Sequence, residues 1–355
     1  MRTNIISYLF IVGLISLTMF ACTVDDGDSK ITPNQSSFLD NTAELIFSSY
    51  QTFNSSVNEL NNSIDSLSIR PNSTTLSEAR KNLKTAYLNW QQVSFYEFGP
   101  AKTASLKSSL NVFKTDTTQI LANITSGNYN LDQISMKDAK GFPALDYLLH
   151  AKSDTAILNQ LISNGNTRDY LKAISNDIKV KVNQVVNGWN TYKNDFKTAM
   201  GTDIGSSTGI LINSLNLHFE QFFRDNKIGI PLGIRSSGIP RPDFVEAIYG
   251  QYSVELAVEN LKAMKTLYLG GSGSGLDDYL IASEASELNT RILSQIQLIE
   301  MKLNILSDPL TQQIQTNSTQ VKEAYDEMQK LIVLWKVDMP SRLGVLITYQ
   351  DNDGD

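Results

Sequence analysis

Tyr170-Leu-Lys-Ala-Ile-Ser-Asn-Asp-Ile-Lys-Val-Lys-Val-Asn-Gln-Val-Val-Asn-Gly-Trp189 decides the fold of this chain. Leu171, Ile174, Ile178, Val182, Val185 and Trp189 recur at steps of three and four, which places them on one face of an α-helix. The amphipathic run extends from Tyr170 to Met200. A helix with one long apolar stripe must bury it against other elements, so the neighbouring segments should show what covers it.

They show more helices. Toward the N-terminus, Leu39, Ala43, Ile46, Phe47, Tyr50 and Phe53 form a stripe that Val57, Leu60 and Ile64 continue, until Arg70-Pro71-Asn72 stops it. Thr75-Leu-Ser-Glu78 has the form of a capping box opening a second helix, with Ala79, Leu83, Tyr87, Trp90 and Ser94 on one face, ending at Gly99-Pro100. Leu106 to Ile124 predicts a third helix, and the polar stretch 125–133 a loop. Toward the C-terminus, Leu211, Leu215, His218 and Phe222 share an inner face, and Phe244–Leu269, Leu276–Leu306 and Thr319–Val337 predict three more helices. A glycine-serine loop, 270–275, separates two of these. No window alternates as a strand does. The expected fold is all-α, two antiparallel helical bundles packed together over 37–200 and 201–355. Asp-Tyr-Leu after a glycine, in 141–149 and again in 275–281, raises the prospect of an internal duplication.

The start of the chain reads as an export signal. Arg2 is followed by the apolar run Ile5–Phe20 and then Ala21-Cys22, too short and wrongly flanked for a membrane span. Cys22 is the only cysteine, so no internal disulfide exists, and its place at a cleavage junction resembles a bacterial lipoprotein's lipidation site. Residues 1–21 are thus expected to be a lipoprotein signal peptide and 22–36 a flexible acidic tether, carrying Asp25, Asp26 and Asp28. The expected location is the bacterial outer membrane or cell surface, lipid-anchored. Of 30 basic and 37 acidic residues, loss of the leader removes only Arg2, leaving a net charge of −8. That balance excludes sequence-blind nucleic-acid binding and polybasic docking on anionic lipid.

Two segments could carry chemistry. In Gly141-Phe-Pro-Ala-Leu-Asp-Tyr-Leu-Leu-His150, Pro143 belongs at a helix start, and Asp146 and His150 then lie one turn apart on one face. That pair could hold a divalent metal or act as an acid–base pair; equally, it could only complement the two ends of the helix dipole. The glycine- and proline-rich stretch 227–243 offers Lys227, Arg235 and Arg241, either as an anion-binding edge or as a bridge between bundles with ordinary ion pairs. Glu220 and Arg224 are spaced as a helix-supporting ion pair, and His218 in its apolar stripe as a core histidine. Two histidines exclude a multi-histidine zinc site; carboxylate oxygens alone would suit calcium or magnesium. The terminal 351–355 resembles the opening of a calcium loop but lacks the distal glutamate, and reads as an acidic tail.

Gly141, Pro143 and Asp146 stand where the imelysin family, the M75 peptidases and iron-regulated proteins, has its Gly-x-His-x-x-Glu motif. Trp90 with Glu97-Phe-Gly-Pro100, Lys227-Ile-Gly-Ile-Pro-Leu-Gly233 and the acidic end 349–355 also resemble that family, which the chain matches in character from Phe38 to Asp355. The resemblance implies a two-bundle helical fold, export to the envelope and a link to iron or haem acquisition, with uptake proteins as partners. The departure matters as much: Pro143 has no ligand atom, and His150 lies roughly 10 Å further along the helix. No catalytic residue is assigned. The expected role is non-catalytic binding, with Asp146, His150, Lys227, Arg235 and Arg241 as candidate contacts. The alternative is a divalent-metal-dependent peptidase of the M75 type using carboxylate ligands.

Overall fold

The computed structural model describes residues 35–349. The leader, Cys22, the tether before residue 35 and the tail from residue 350 lie outside the described residues. Among the described residues every regular element is helical. The first half holds α1 (Gln35–Ile69), α2 (Ser73–Gln91), the short turns α3 (Gly99–Thr103) and α4 (Leu106–Leu110), α5 (Thr117–Ser126), α6 (Gly141–His150), α7 (Asp154–Ser163) and α8 (Gly165–Thr198). The second holds α9 (Ser207–Leu217), α10 (Ile230–Leu232), α11 (Ser253–Tyr268), α12 (Leu276–Ala282), α13 (Ser286–Asn304), α14 (Leu310–Thr316), α15 (Ser318–Ile332) and α16 (Met339–Leu343).

The two long stripes meet each other. The apolar face of α8 packs along α1, whose other flank takes α2. Lys197 pairs with Glu44 at 2.8 Å and Lys172 with Asp65 at 3.6 Å, so α1 and α8 run antiparallel. Trp189 is buried between Tyr50, Phe98 and Phe196. In the second half α13 packs on α15, and α2 crosses onto α11, so the buried side chains form one continuous core through both halves. No described helix is long and apolar enough to cross a membrane.

Two helices widen. The backbone of α9 runs on as a π-helix over His218–Gly229 into α10, and α15 runs through a π segment, Val333–Asp338, into α16. Each widened stretch leads into a proline, Pro231 or Pro340. Proline brings no N–H for the carbonyl four residues back, here Lys227 or Lys336, and its ring crowds that carbonyl. A turn paired at i→i+5 removes the conflict.

Several expected boundaries move. The cap of α2 is Asn72, which accepts from the Thr75 N–H at 3.1 Å while the Thr75 hydroxyl accepts from the Asn72 N–H; Thr75 is the third helical residue rather than the cap. Asparagine is itself a strong cap, and the whole box lies three residues earlier than Thr75–Glu78 suggests. The helix expected over Leu106–Ile124 is two, because Asp116 caps α5 afresh through the Gln119 N–H. The 227–243 stretch is helical as far as Leu232. The helix expected from Phe244 begins at Ser253, after an irregular segment, and Leu276–Leu306 breaks between Ala282 and Ser286.

Candidate functional site

The motif helix α6 is placed by its first residue. Gly141 has φ of 73°, and a Cβ there would strike the Leu110 carbonyl oxygen at the end of α4. Only glycine takes both the left-handed backbone and the close approach. Pro143 falls in the first turn, where no intrahelical N–H is required, so the motif's histidine can be lost without harm to the helix. Asp146, one turn in, is 1% exposed. Its Oδ2 accepts the Tyr249 N–H at 3.0 Å and its Oδ1 the Gly250 N–H at 2.8 Å. His150 Nδ1 stands 3.2 Å from Oδ1 and 3.2 Å from the Asp146 carbonyl.

Asp146 therefore ties the first half to the irregular segment 245–252 of the second. That segment carries left-handed backbone at two non-glycine residues, Ala247 (φ 49°) and Gln251 (φ 60°), a conformation that must be held by its surroundings. Tyr147 packs edge-on against Tyr249, with ring centroids 5.2 Å apart, and Tyr252 edge-on against His150 at 6.3 Å. Asp146 and His150 together do not fit a metal: both carboxylate oxygens are engaged by backbone amides, Pro143 offers no donor, and no group of three or more His, Cys, Asp or Glu suited to a metal occurs among the described residues.

The same segment supplies Glu246, 0% exposed, to a second polar cluster. Lys227 forms a buried ion pair with Glu246 and donates to Gln91 Oε1 at 3.0 Å. Glu246 Oε1 also accepts from Gln91 Nε2 at 3.3 Å and from Asn111 Nδ2 at 2.7 Å; Asn111 in turn accepts the Tyr87 hydroxyl at 2.6 Å. Burial pulls the Lys227 ammonium below its ordinary pKa, and Glu246 opposes that shift. Burial, followed by the charge of Glu246, holds the Tyr87 phenol well above its ordinary value.

Lys107 and His218 adjoin this cluster. Lys107 Nζ donates to His218 Nδ1 at 3.2 Å, and His218 Nε2–H donates to Asn260 Oδ1 at 2.8 Å. The Asn260 amide then donates to the Gln91 carbonyl at 2.7 Å and to Ser94 Oγ at 3.1 Å. Burial, then the neighbouring Lys107 charge, keeps His218 neutral by pushing its pKa well below the usual imidazole range. Burial also draws Lys107 down to about 8, with the charge of Glu97 opposing it; burial raises Glu97. The Lys107 ammonium lies 3.8 Å from the Phe222 ring centre, a cation–π contact. A cavity of about 20 Å³ remains among Trp90, Gln91, Ser94, Lys107, Asn111 and His218, with Phe113, Phe222, Asn226 and Lys227 around it.

The widened turns explain why His218 and Lys227 share this cavity. Lys227 is nine positions after His218. At 3.6 residues per turn that is about two and a half turns, which sets them on opposite faces. At roughly 4.4 residues per turn, the period of i→i+5 pairing, it is close to two turns, which returns both to one face.

The other expected contacts do not join them. Arg235 pairs with Asp225 at 2.9 Å, as does Arg224, and Arg241 pairs with Asp243 at 3.4 Å above the Phe244 ring. The anion-binding edge expected of 227–243 is thus divided: Lys227 turns into the interior, and Arg235 and Arg241 meet two different carboxylates, each shared with another cation. Glu220 and Arg224 approach only to 3.9 Å, since Lys336 and the Tyr349 hydroxyl, both at 2.8 Å, take Glu220. A wider groove of about 200 Å³ lies between α1, α2 and α11, but Glu259 there is already bonded by Gln92 at 2.9 Å. Lys107, Asn111, Asn260 and Glu246 were not singled out from the sequence. Glu246 left a signal, a lone charge inside Phe244-Val-Glu-Ala-Ile248; Lys107 left none.

An all-α chain whose halves meet over a buried polar seam is a two-bundle helical protein. Residues 46–334 match the imelysin (peptidase M75) family, and the chain belongs to that family. No curated protein matches it. Among solved structures it is similar to a protein described as an iron-regulated protein A precursor from Parabacteroides distasonis, with TM-score 0.73 and 16% identity over 90% of this chain and 97% of the other. It is also similar to an imelysin-like protein from Psychrobacter arcticum, with TM-score 0.72 and 14% identity over 89% and 97%. At these identities the likeness is one of fold.

Proposed function

We propose that this chain is a lipid-anchored envelope protein that binds a ligand for iron or haem acquisition and catalyses nothing itself. The observation that carries the reading is the family motif. Where a metallopeptidase needs imidazole and a free carboxylate around an open metal position, this chain has Pro143 and an Asp146 engaged at both oxygens by Tyr249 and Gly250. Polar capacity lies instead in the seam around Lys107, His218 and Lys227. The iron link is supported by the similar fold described as an iron-regulated protein A precursor. Anchoring is supported by Cys22 at its signal junction, with uptake proteins of the envelope as the partners.

The test is calorimetry on the full chain in detergent with haem, ferric citrate, zinc and calcium, beside a peptide-hydrolysis assay. Haem or ferric citrate should bind, and no ion should induce hydrolysis. Hydrolysis that depends on an added divalent ion and disappears in Asp146→Ala would overturn the reading in favour of the peptidase. Fatty-acid labelling lost in Cys22→Ala tests the anchor.

A further inference from the structure

We propose that the Lys107–Trp90 cavity receives the carboxylate group of an anionic ligand; this rests on the binding role above and names the chemistry that the role would use. The argument is one of unmatched capacity. Lys227 is neutralised by Glu246. Lys107 is not neutralised in this way: among the described residues no carboxylate comes within 4.0 Å of its Nζ, whose partners are a neutral imidazole and the face of Phe222. Glu97 accepts the Lys107 backbone N–H at 3.4 Å, and its charge acts on the ammonium only from beyond 4.0 Å. An ammonium has three donors, and one is taken by His218.

The second observation is independent of that charge. Trp90 is 1% exposed, lines the same cavity, and its indole N–H has no acceptor. A buried donor without a partner is costly, and an acceptor that reached it would remove that cost. A cation is disfavoured by the Lys107 ammonium. The cavity has room for one or two water-sized groups, which suits one carboxylate and excludes a whole ligand. The partly exposed Phe113, Phe222 and Asn226 then face the rest of the molecule at the mouth. Both propionate-bearing haem and ferric chelates of carboxylic acids present this group.

The experiment uses the full chain with 15N-labelled tryptophan, titrated with acetate. Three indole signals are present, from Trp90, Trp189 and Trp335, and Trp90→Phe assigns the first. Trp189 and Trp335 also lack acceptors but do not line this cavity, and serve as internal controls. Acetate should shift the Trp90 signal saturably and leave the other two in place; Lys107→Gln should weaken that response at least tenfold. A Trp90 signal that does not move, or that saturates equally in Lys107→Gln, overturns the proposal, and the first of these needs only the Trp90→Phe assignment. Parallel titrations with haem and ferric citrate distinguish the sources of the carboxylate. Acetate binding without either iron ligand would sustain the cavity and remove the iron link. Iron-ligand binding with Trp90 silent would sustain the link and remove the cavity.

Discussion

Asp146 and Lys107 are both buried charges on the seam between the helical halves, yet they differ in what is left over. Asp146 accepts two backbone N–H groups and faces an imidazole, so its oxygens are occupied and its effect is to hold the strained segment 245–252. Lys107 has a neutral histidine, an aromatic face and a neighbouring orphan indole N–H. Burial and charge are common to both; spare hydrogen-bonding capacity belongs to the second alone. The family motif thus marks the strut, and the cavity beside it carries the unused donors. The two are joined through one segment, since the backbone held by Asp146 also carries Glu246 to Lys227.

The largest effect tests the saturated side at its most buried pair. Lys227→Met leaves Glu246 charged and fully enclosed, and should cost about 3–5 kcal/mol in urea unfolding. Adding Glu246→Gln should recover part of that. A loss below about 1 kcal/mol would mean that the seam tolerates an unmatched charge, and the contrast with Lys107 would fail. Next comes Asp146→Ala, which strands the Tyr249 and Gly250 N–H groups; a buried orphan costs about 1–3 kcal/mol, and because both residues are half-buried a loss toward the lower end for the pair, about 2–4 kcal/mol, is expected. Unchanged stability would show that the carboxylate is no strut and would reopen it as a ligand site.

The strut was partly legible in the sequence and the cavity was not. Periodicity gave α1, α2 and α8 because their stripes follow the 3.6-residue rule over many turns. Gly141, Pro143 and Asp146 were visible as a degenerate motif, and the one-turn spacing of Asp146 and His150 holds in the structure. The partners of Asp146 were invisible, because they are backbone amides about a hundred residues away. The same 3.6-residue rule misleads at His218–Gly229, where wider turns bring His218 and Lys227 to one face. Pro231, four residues after Lys227, is the local cue that an α-type pairing fails there, and Pro340 repeats it after Lys336. Lys107 could not be found at all: it is one polar residue in the stretch that reads as a single helix over Leu106–Ile124, and only the packing of α4 buries it.

A smaller effect addresses that lysine through pH. Its folded pKa, about 8, lies below the ordinary 10.5, so between those values the unfolded chain binds more protons than the folded one. Stability should therefore rise with pH across about 8 to 10.5, and the full penalty should apply below about 8. Urea unfolding across this window should show wild type gaining about 1–3 kcal/mol relative to Lys107→Gln. Parallel profiles would mean that Lys107 is already matched by a partner, and the comparison with Asp146 would lose its second term.

The smallest effect falls on Arg241, and it locates the boundary of the contrast. Its guanidinium is partly exposed, meets Asp243 at 3.4 Å and lies over Phe244 with the ring centre 4.4 Å away. Lys114 holds the same Asp243 at 2.7 Å, and Lys114 and Arg241 together keep that carboxyl below its ordinary pKa. With Lys114 still in place, Arg241→Ala removes one exposed pair and should change stability by less than about 0.5 kcal/mol. It should also leave the acetate response of Trp90 unchanged, because its charge is already matched outside the seam. An Arg241→Ala variant with normal stability but weakened acetate binding would shift the anion site outward to the 233–243 loop, and spare donors in the buried cavity would no longer distinguish a binding site from a strut.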